Sequence, residues 1–446
     1  MTVFDHKRLS AATLRLDVEG LRRGWYSDKY FENVVHVLEG ARAAGYTFAG
    51  NSPRLKPGEA AQVSTGDIRV EAQVFNRRAP AALIAGVDVA LAMLRLATGY
   101  FQDGQYVETW QDLQVEAVED GVFTHFHGDT EAVQPVLKVR GRYRDFALLE
   151  TTILGVLTRA SRIATNVYDA LGAARGKPVL FFPARFDLPE VQPIDGYAYA
   201  VAVQRFNHDS GFNLRPMVST DAQGAWWGGR GGGTVPHALI ACFLADTVEA
   251  MIAFAKYVPP EVPRIALTDF DNDSVGATLA TLDAYWPHYR AAVESADLED
   301  QRRWTLFGVR LDTSSNMRDV SLPEGSGSGV NPTLVRIVRE AIDSAWQRWN
   351  VPPALLEVAQ AYCRNVKIVV SGGFDQARIE RFEAEGVPAD IYGVGSTLLR
   401  NDKTTNTDFT LDLVRVEING RWVDMAKIGR RPNDNPDLRP VDLSQL

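Results

Sequence analysis

Between residues 178 and 396 the chain carries six short apolar runs, each ending in polar or glycine residues and separated by helix-like stretches. They are PVLFFPAR (178–185), LRPMVSTD (214–221), PRIALTDFD (263–271), LFGVRLD (306–312), VKIVVSGG (366–373) and ADIYGVGS (389–396). Runs this short and uniformly apolar read as strands buried on both faces, and strands that alternate with helices pair in parallel. The rhythm predicts an α/β barrel or a doubly wound sheet, and both place a ligand site at the carboxyl ends of the strands. Those ends carry Arg185, Asp221, Asp269, Asp271, Arg310, Asp312, Ser371, Gly372, Gly373, Gly395 and Ser396. Purely structural ends do not need so many charged and glycine residues, although short turns account for some of them.

The first part of the chain has a different rhythm. DKYFENVVHVLEGARAAG has helical spacing, whereas DIRVEAQVFNRR, VETWQDLQVEAVEDGVFTHFHG and QPVLKVRGRY alternate like antiparallel strands, with the apolar helix APAALIAGVDVALAMLRLA between them. The expected division is an N-terminal α+β domain (1–143), an α/β barrel domain (144–400) and a C-terminal segment (401–446) whose strands return to the first domain. The barrel domain opens on a long helix with Asp145 as its expected cap. DFTLDLVRVEINGRWVDMAKIG reads as a hairpin turning at Asn419 and Gly420, PEGSGSGVNP (323–332) as a flexible insert and candidate closing loop, and RRPNDNPDLRPVDLSQL as a loose tail.

With 446 residues, 46% hydrophobic and 23% charged, the chain has ordinary globular composition and room for two or three domains. A net charge of −9 argues against a general nucleic-acid binder, which needs clustered Lys and Arg. Two cysteines, Cys242 and Cys363, give neither a disulfide framework nor a CxxC metal site, which fits a reducing compartment, the cytoplasm by default. The N-terminus lacks a signal-peptide pattern, and no window reaches the roughly 18 to 20 apolar residues of a membrane span. The expectation is a protein working in solution.

VSGG and YGVGS, at successive strand ends, suggest two adjacent turns whose backbone N–H groups reach a phosphate; the alternative is a pair of tight turns with no ligand. Asp269, Asp271 and Asp312 suit ribose hydroxyls or a Mg²⁺, and equally well cap the helices that follow. Arg185 and Arg310 fit a carboxylate or phosphate, or an ion pair with those aspartates. His237, in GGGTVPHALIAC, has no partner ligand at metal-binding spacing, and by itself reads as a residue at a helix start.

GWYSDKYF (24–31), LLETTILGVLTRASRIAT (148–165), ARF (184–186), GTVPHAL (233–239), GVRLD (308–312), VSGGFD (370–375) and YGVGSTL (392–398) occur in the order typical of the nicotinate phosphoribosyltransferase family, which the chain resembles from Tyr26 to Lys427. The resemblance implies an α/β protein: an N-terminal α+β domain completed by C-terminal strands, plus an incomplete, roughly six-stranded α/β barrel of the type II phosphoribosyltransferase fold. It implies a head-to-tail homodimer with a shared active site. The implied reaction moves 5-phosphoribose from phosphoribosyl pyrophosphate to the ring nitrogen of nicotinate with Mg²⁺, coupled to ATP hydrolysis, giving nicotinate mononucleotide and pyrophosphate for NAD salvage.

By the same resemblance His237, Asp269, Asp312 and Arg310 are catalytic, with His237 phosphorylated by ATP and Asp269 and Asp312 at the Mg²⁺ and ribose. Nicotinate would contact Tyr26 of the partner subunit, Arg185, Phe186 and Asp221, and the 5′-phosphate would sit on Ser371, Gly372, Gly373, Gly395 and Ser396. The chain departs from the family pattern at Phe186, where a second arginine is common, at Ala238, where serine is usual, and after Asp312, where Ser-Gly-Asp is frequent. Trp226, Trp227 and Arg230 carry no role in this pattern. The alternatives are a nicotinamide or other pyridine phosphoribosyltransferase and, from another class, a non-catalytic nucleotide- or phosphate-binding relative. Quinolinate, with two carboxylates, would call for a more basic pocket.

Overall fold

The computed structural model describes residues 7–56, 58–60 and 63–446; residues 1–6, where the signal-peptide reading and the start of the expected first domain fall, lie outside the described residues. The N-terminal part contributes three strands to one sheet: β1 (Arg69–Asn76), β2 (Gln114–Ala117) and β3 (Leu137–Arg142). Val70, Ala72 and Val74 alternate onto the core face of β1. Glu71, on the other face, is just as buried, and cross-strand arginines satisfy it: Arg140 at 2.6 Å and Arg415 at 3.1 Å. The helix Val87–Ala97 is apolar except for Asp88 and Arg95 and is buried on nearly every side, with Asp88 paired to Arg8 at 2.9 Å.

The long helix runs Glu150–Ala173 and begins later than its expected cap. Asp145 lies instead in a short helix, Tyr143–Phe146, where its carboxylate accepts hydrogen bonds from Thr109 (2.8 Å) and Arg142 (2.8 Å). Arg142 nearby and Thr109, 36 residues away, claim the side chain that local spacing assigned to capping.

Five parallel strands follow: β4 (Val179–Phe181), β5 (Arg264–Leu267), β6 (Leu306–Leu311), β7 (Lys367–Val370) and β8 (Ile391–Val394), in the order β4-β8-β7-β6-β5. The run 214–221 supplies only a bridge, with Val218 pairing to Phe181 and to Gly231. Its next two N–H groups, of Ser219 and Thr220, donate to the Gln223 side chain at 3.0 and 3.2 Å, which ends the pairing. The first strand thus pairs with the last, as in a ring opened between Val218 and β5. Among the described residues no pairing closes that gap: five parallel strands and the Val218 bridge stand where an incomplete, roughly six-stranded barrel is expected, and the ring is open.

The C-terminal strands β9 (Phe409–Ile418), β10 (Arg421–Asp424) and β11 (Arg439–Val441) complete the N-terminal sheet, in the order β10-β9-β1-β3-β2-β11. Asn419 and Gly420 form the β9–β10 turn in left-handed conformation, φ 53° and 75°. The C-terminal residues are not a loose tail: β11 pairs antiparallel with β2, and Leu438 and Leu443 are buried. The 323–332 insert is tied down too, by Ser328 donating to the Ser315 carbonyl (2.6 Å) and Asn331 to that of Ser326 (3.0 Å). No helix among the described residues is long and apolar enough to cross a membrane.

Candidate active site

A cavity of about 460 Å³ opens at the carboxyl ends of the parallel strands. Two backbone turns face it. After β7 come Ser371, Gly372 and Gly373, the glycines at φ +87° and +75°, which side-chain-bearing residues adopt only at a cost. After β8 come Gly395 and Ser396, where a Cβ on Gly395 would stand 2.8 Å from the Phe186 ring. Arg185 and Phe186 form the exposed rim, the guanidinium 5.3 Å from the ring centroid. Among the described residues Arg185 forms no ion pair.

One guanidinium ties three segments together. Arg310, on β6, donates from Nε to Ser371 Oγ (2.9 Å), from Nη1 to Thr234 Oγ1 (3.0 Å) and from Nη2 to Asp312 Oδ2 (2.7 Å). Ser371 donates in turn to Asp312 Oδ1 (2.7 Å). The strand end, the glycine turn and the approach to His237 are therefore held in one charge-assisted network. The ion pair between Arg310 and Asp312, one of the two sequence readings, is present, and both residues still line the cavity.

His237 opens the short helix His237–Cys242, with its Nε2 3.0 Å from Asp269 Oδ1. The tautomer that donates Nε2–H to this carboxylate leaves Nδ1 with its lone pair. Burial raises the Asp269 pKa, and the facing imidazole works against that rise. The glycine run reaches His237 on fixed backbone. Gly231 donates to Asp221 Oδ1 (2.9 Å) and Gly232 to the Val218 carbonyl (2.8 Å), and a Cβ on Gly231 would meet the Thr220 backbone at 2.7 Å. Asp221 thus braces this segment and does not line the cavity. Trp227 donates from Nε1 to the Gln223 carbonyl (2.8 Å) and packs against Gly229, while Trp226 lies on Tyr197 with centroids 6.0 Å apart.

Residues 59–161 match the family model of the quinolinate phosphoribosyl transferase N-terminal domain. A nicotinate phosphoribosyltransferase of Bacillus subtilis is 24% identical over 300 residues, 67% of this chain and 49% of that protein. A second, from Mycobacterium tuberculosis, is 24% identical over 286 residues, 64% of this chain and 50% of its own length. The chain thus spans about half the length of these curated relatives. The crystal structure of a nicotinate-nucleotide pyrophosphorylase from Pyrococcus furiosus superposes with a TM-score of 0.62 at 26% identity, over 93% of this chain and 80% of that one. These matches make the chain similar to quinolinate and nicotinate phosphoribosyltransferases.

The cavity gathers His237, Arg310, Asp312, Arg185, Phe186, Ser371, Gly372, Gly373, Gly395 and Ser396, and Asp269 reaches it through His237. Tyr26 stands apart in the same chain, half-exposed, its hydroxyl donating to Asp17 at 2.6 Å. Among the described residues no three His, Cys, Asp or Glu side chains come together as a metal site. Sequence reasoning passed over Thr234, Phe182 and Thr397, which also line the cavity. Thr234 was findable, since it is the one hydroxyl between the glycine run and His237.

Proposed function

We propose that this chain transfers 5-phosphoribose from phosphoribosyl pyrophosphate to nicotinate, forming nicotinate mononucleotide and pyrophosphate. The observation that carries this reading is an unpaired guanidinium, Arg185, beside an aromatic ring on the rim of a cavity floored by two glycine turns. A flat aromatic anion fits the rim, stacking on Phe186 with its carboxylate on Arg185. The 5′-phosphate fits the backbone N–H groups of 371–373 and 395–396. A cavity of about 460 Å³ lies within the usual range for small-molecule sites.

Cleavage of the C1–pyrophosphate bond builds positive charge on the ribose while the nicotinate nitrogen approaches, and the electron pair leaves with pyrophosphate. Asp312 and Asp269 supply negative charge for that ribose, and Arg310 supplies positive charge for departing phosphate oxygens. Two aspartates without a third ligand suit a hard cation that takes most of its oxygens from phosphate and water, so Asp269 and Asp312 are the residues that would hold Mg²⁺. When bound, the ion neutralises pyrophosphate.

The reading extends to ATP coupling at His237. Nδ1 would attack the γ-phosphorus and release ADP, with the Nε2 proton held against Asp269. It also includes a homodimer in which the partner subunit's Tyr26 covers the cavity; the exposure of Trp25, Tyr26 and Tyr30 favours that arrangement. The test is mononucleotide formation from phosphoribosyl pyrophosphate and Mg²⁺ with nicotinate, nicotinamide or quinolinate, with and without ATP. Turnover of nicotinate above the others is the expected outcome. Ligand-induced thermal stabilisation without turnover of any pyridine would instead mark a non-catalytic binder.

A further inference from the structure

Gly372 and Gly373 stand in succession at left-handed φ, and glycine has more backbone freedom to lose than any other residue. A turn built this way presents its N–H groups to a phosphate only when something outside it fixes its peptides. Both ends are fixed. Ser371 donates to Asp312 Oδ1 (2.7 Å) and accepts from Arg310 (2.9 Å), while the Phe374 carbonyl accepts from Thr397 Oγ1 (2.7 Å), which ties this turn to the one after β8. The middle is held by Arg378, on the helix Gln376–Ala384. Its Nη1 donates to the Gly372 carbonyl (2.7 Å) and lies 3.9 Å from where a Cβ on Gly373 would stand.

Gly372, Gly373 and Phe374 line the cavity, and Arg378 does not, so the guanidinium holds the turn from behind. The Gly372–Gly373 peptide is trans, and its C=O and N–H point in opposite directions. With the carbonyl drawn back to Arg378, the Gly373 N–H faces forward. Among the described residues the N–H groups of Gly372, Gly373 and Phe374 donate to no acceptor within the chain. The guanidinium is half-buried, lies 4.1 Å from the Phe374 ring centroid and forms no ion pair among the described residues. Asp375 supports its charge, but the Asp375 carboxylate is taken by the Arg378 backbone N–H (2.9 Å) and faces Arg400 at 3.6 Å. Nη2 of Arg378 donates to the Val330 carbonyl, where the 323–332 insert runs into the helix Pro332–Ser344.

We infer that Arg378 is a positioning residue for the 5′-phosphate: it fixes the Gly372 peptide so that the Gly373 N–H stands ready for a phosphate oxygen, and it sets a positive charge behind that donor. This rests on the phosphoribosyl-transfer reading above. A charge-assisted bond to the carbonyl polarises the peptide and strengthens the N–H on its other side. A turn held before the ligand arrives also loses less conformational freedom on binding it.

The test is calorimetric titration of the full chain with ribose 5-phosphate and, separately, with pyrophosphate and Mg²⁺, which the reading places at Arg310, Asp269 and Asp312. Arg378→Gln is expected to weaken ribose 5-phosphate about tenfold or more and to leave pyrophosphate within about twofold. Arg378→Lys, which keeps the charge and a donor, should come within about threefold of wild type for ribose 5-phosphate. In the wild-type chain the Gly373 amide resonance should shift as ribose 5-phosphate is added, a readout that needs no variant. Wild-type affinity for ribose 5-phosphate in the glutamine variant would overturn the inference alone. So would equal loss of both ligands, the mark of a merely structural residue, or a Gly373 resonance that stays in place while the sugar phosphate binds. A wild-type chain that does not bind ribose 5-phosphate would overturn the phosphoribosyl-transfer reading, and the inference with it.

Discussion

At the scale of single residues, Asp269 and His237 form the pair on which the proposed ATP coupling turns. Asp269 holds its proton more tightly folded than unfolded, because burial outweighs the imidazole. Its ionised form therefore costs folding stability; that cost is absent below the unfolded pKa and complete above the folded one. Asp269→Asn removes the charge and keeps the shape, so its melting temperature should match or exceed wild type at neutral pH. Stimulation of mononucleotide formation by ATP should fall by about tenfold or more, since the imidazole loses the anion that orients it. An undiminished ATP response in that variant would remove Asp269 from the coupling. His237 shows what sequence can reveal: its helix-start position was legible, but its carboxylate lies 32 residues away and only the fold brings the two together.

At the scale of elements, the strands of the parallel sheet and the Asn419–Gly420 hairpin were legible because their signals are local: apolar runs, and a turn that needs two left-handed residues. What was misread depends on partners outside the segment that carries the signal. Asp145 is claimed by Thr109, the 214–221 run loses its ladder to the Gln223 side chain, and the proline-rich C-terminus docks through Leu438 and Leu443. Glu150, the first residue of the long helix, carries a further consequence of tertiary burial. Its pKa is pushed up to about 7, against a hydrogen bond from the Tyr143 hydroxyl at 3.3 Å. The folded state binds the extra proton, so this group's contribution is fully present at low pH and is lost as pH rises from about 4.5 through about 7. Glu150→Gln should flatten that slope in a pH series of thermal melts, by more than about 1 kcal/mol across the window. A series parallel to wild type would contradict the burial.

At the scale of the whole molecule, both ends of the chain build one antiparallel sheet, and the segment between them builds the parallel sheet with the cavity at its strand ends. The order of motifs made this plan legible, whereas the open seam beside Val218 was not, because failure to pair leaves no mark in apolar periodicity. The glycine run and His237 follow that seam, so the missing ladder is where the chain presents its candidate phosphoryl acceptor. The claim that phosphoribosyl transfer happens in this cavity is tested most directly by nicotinate mononucleotide formation from phosphoribosyl pyrophosphate, measured for wild type beside Asp312→Asn. The expected result is nicotinate-dependent product with matching pyrophosphate release, falling on the order of 100-fold in the variant, whose carboxamide no longer faces the ribose with a full charge. No product from the wild-type chain, or equal turnover in both proteins, would contradict it.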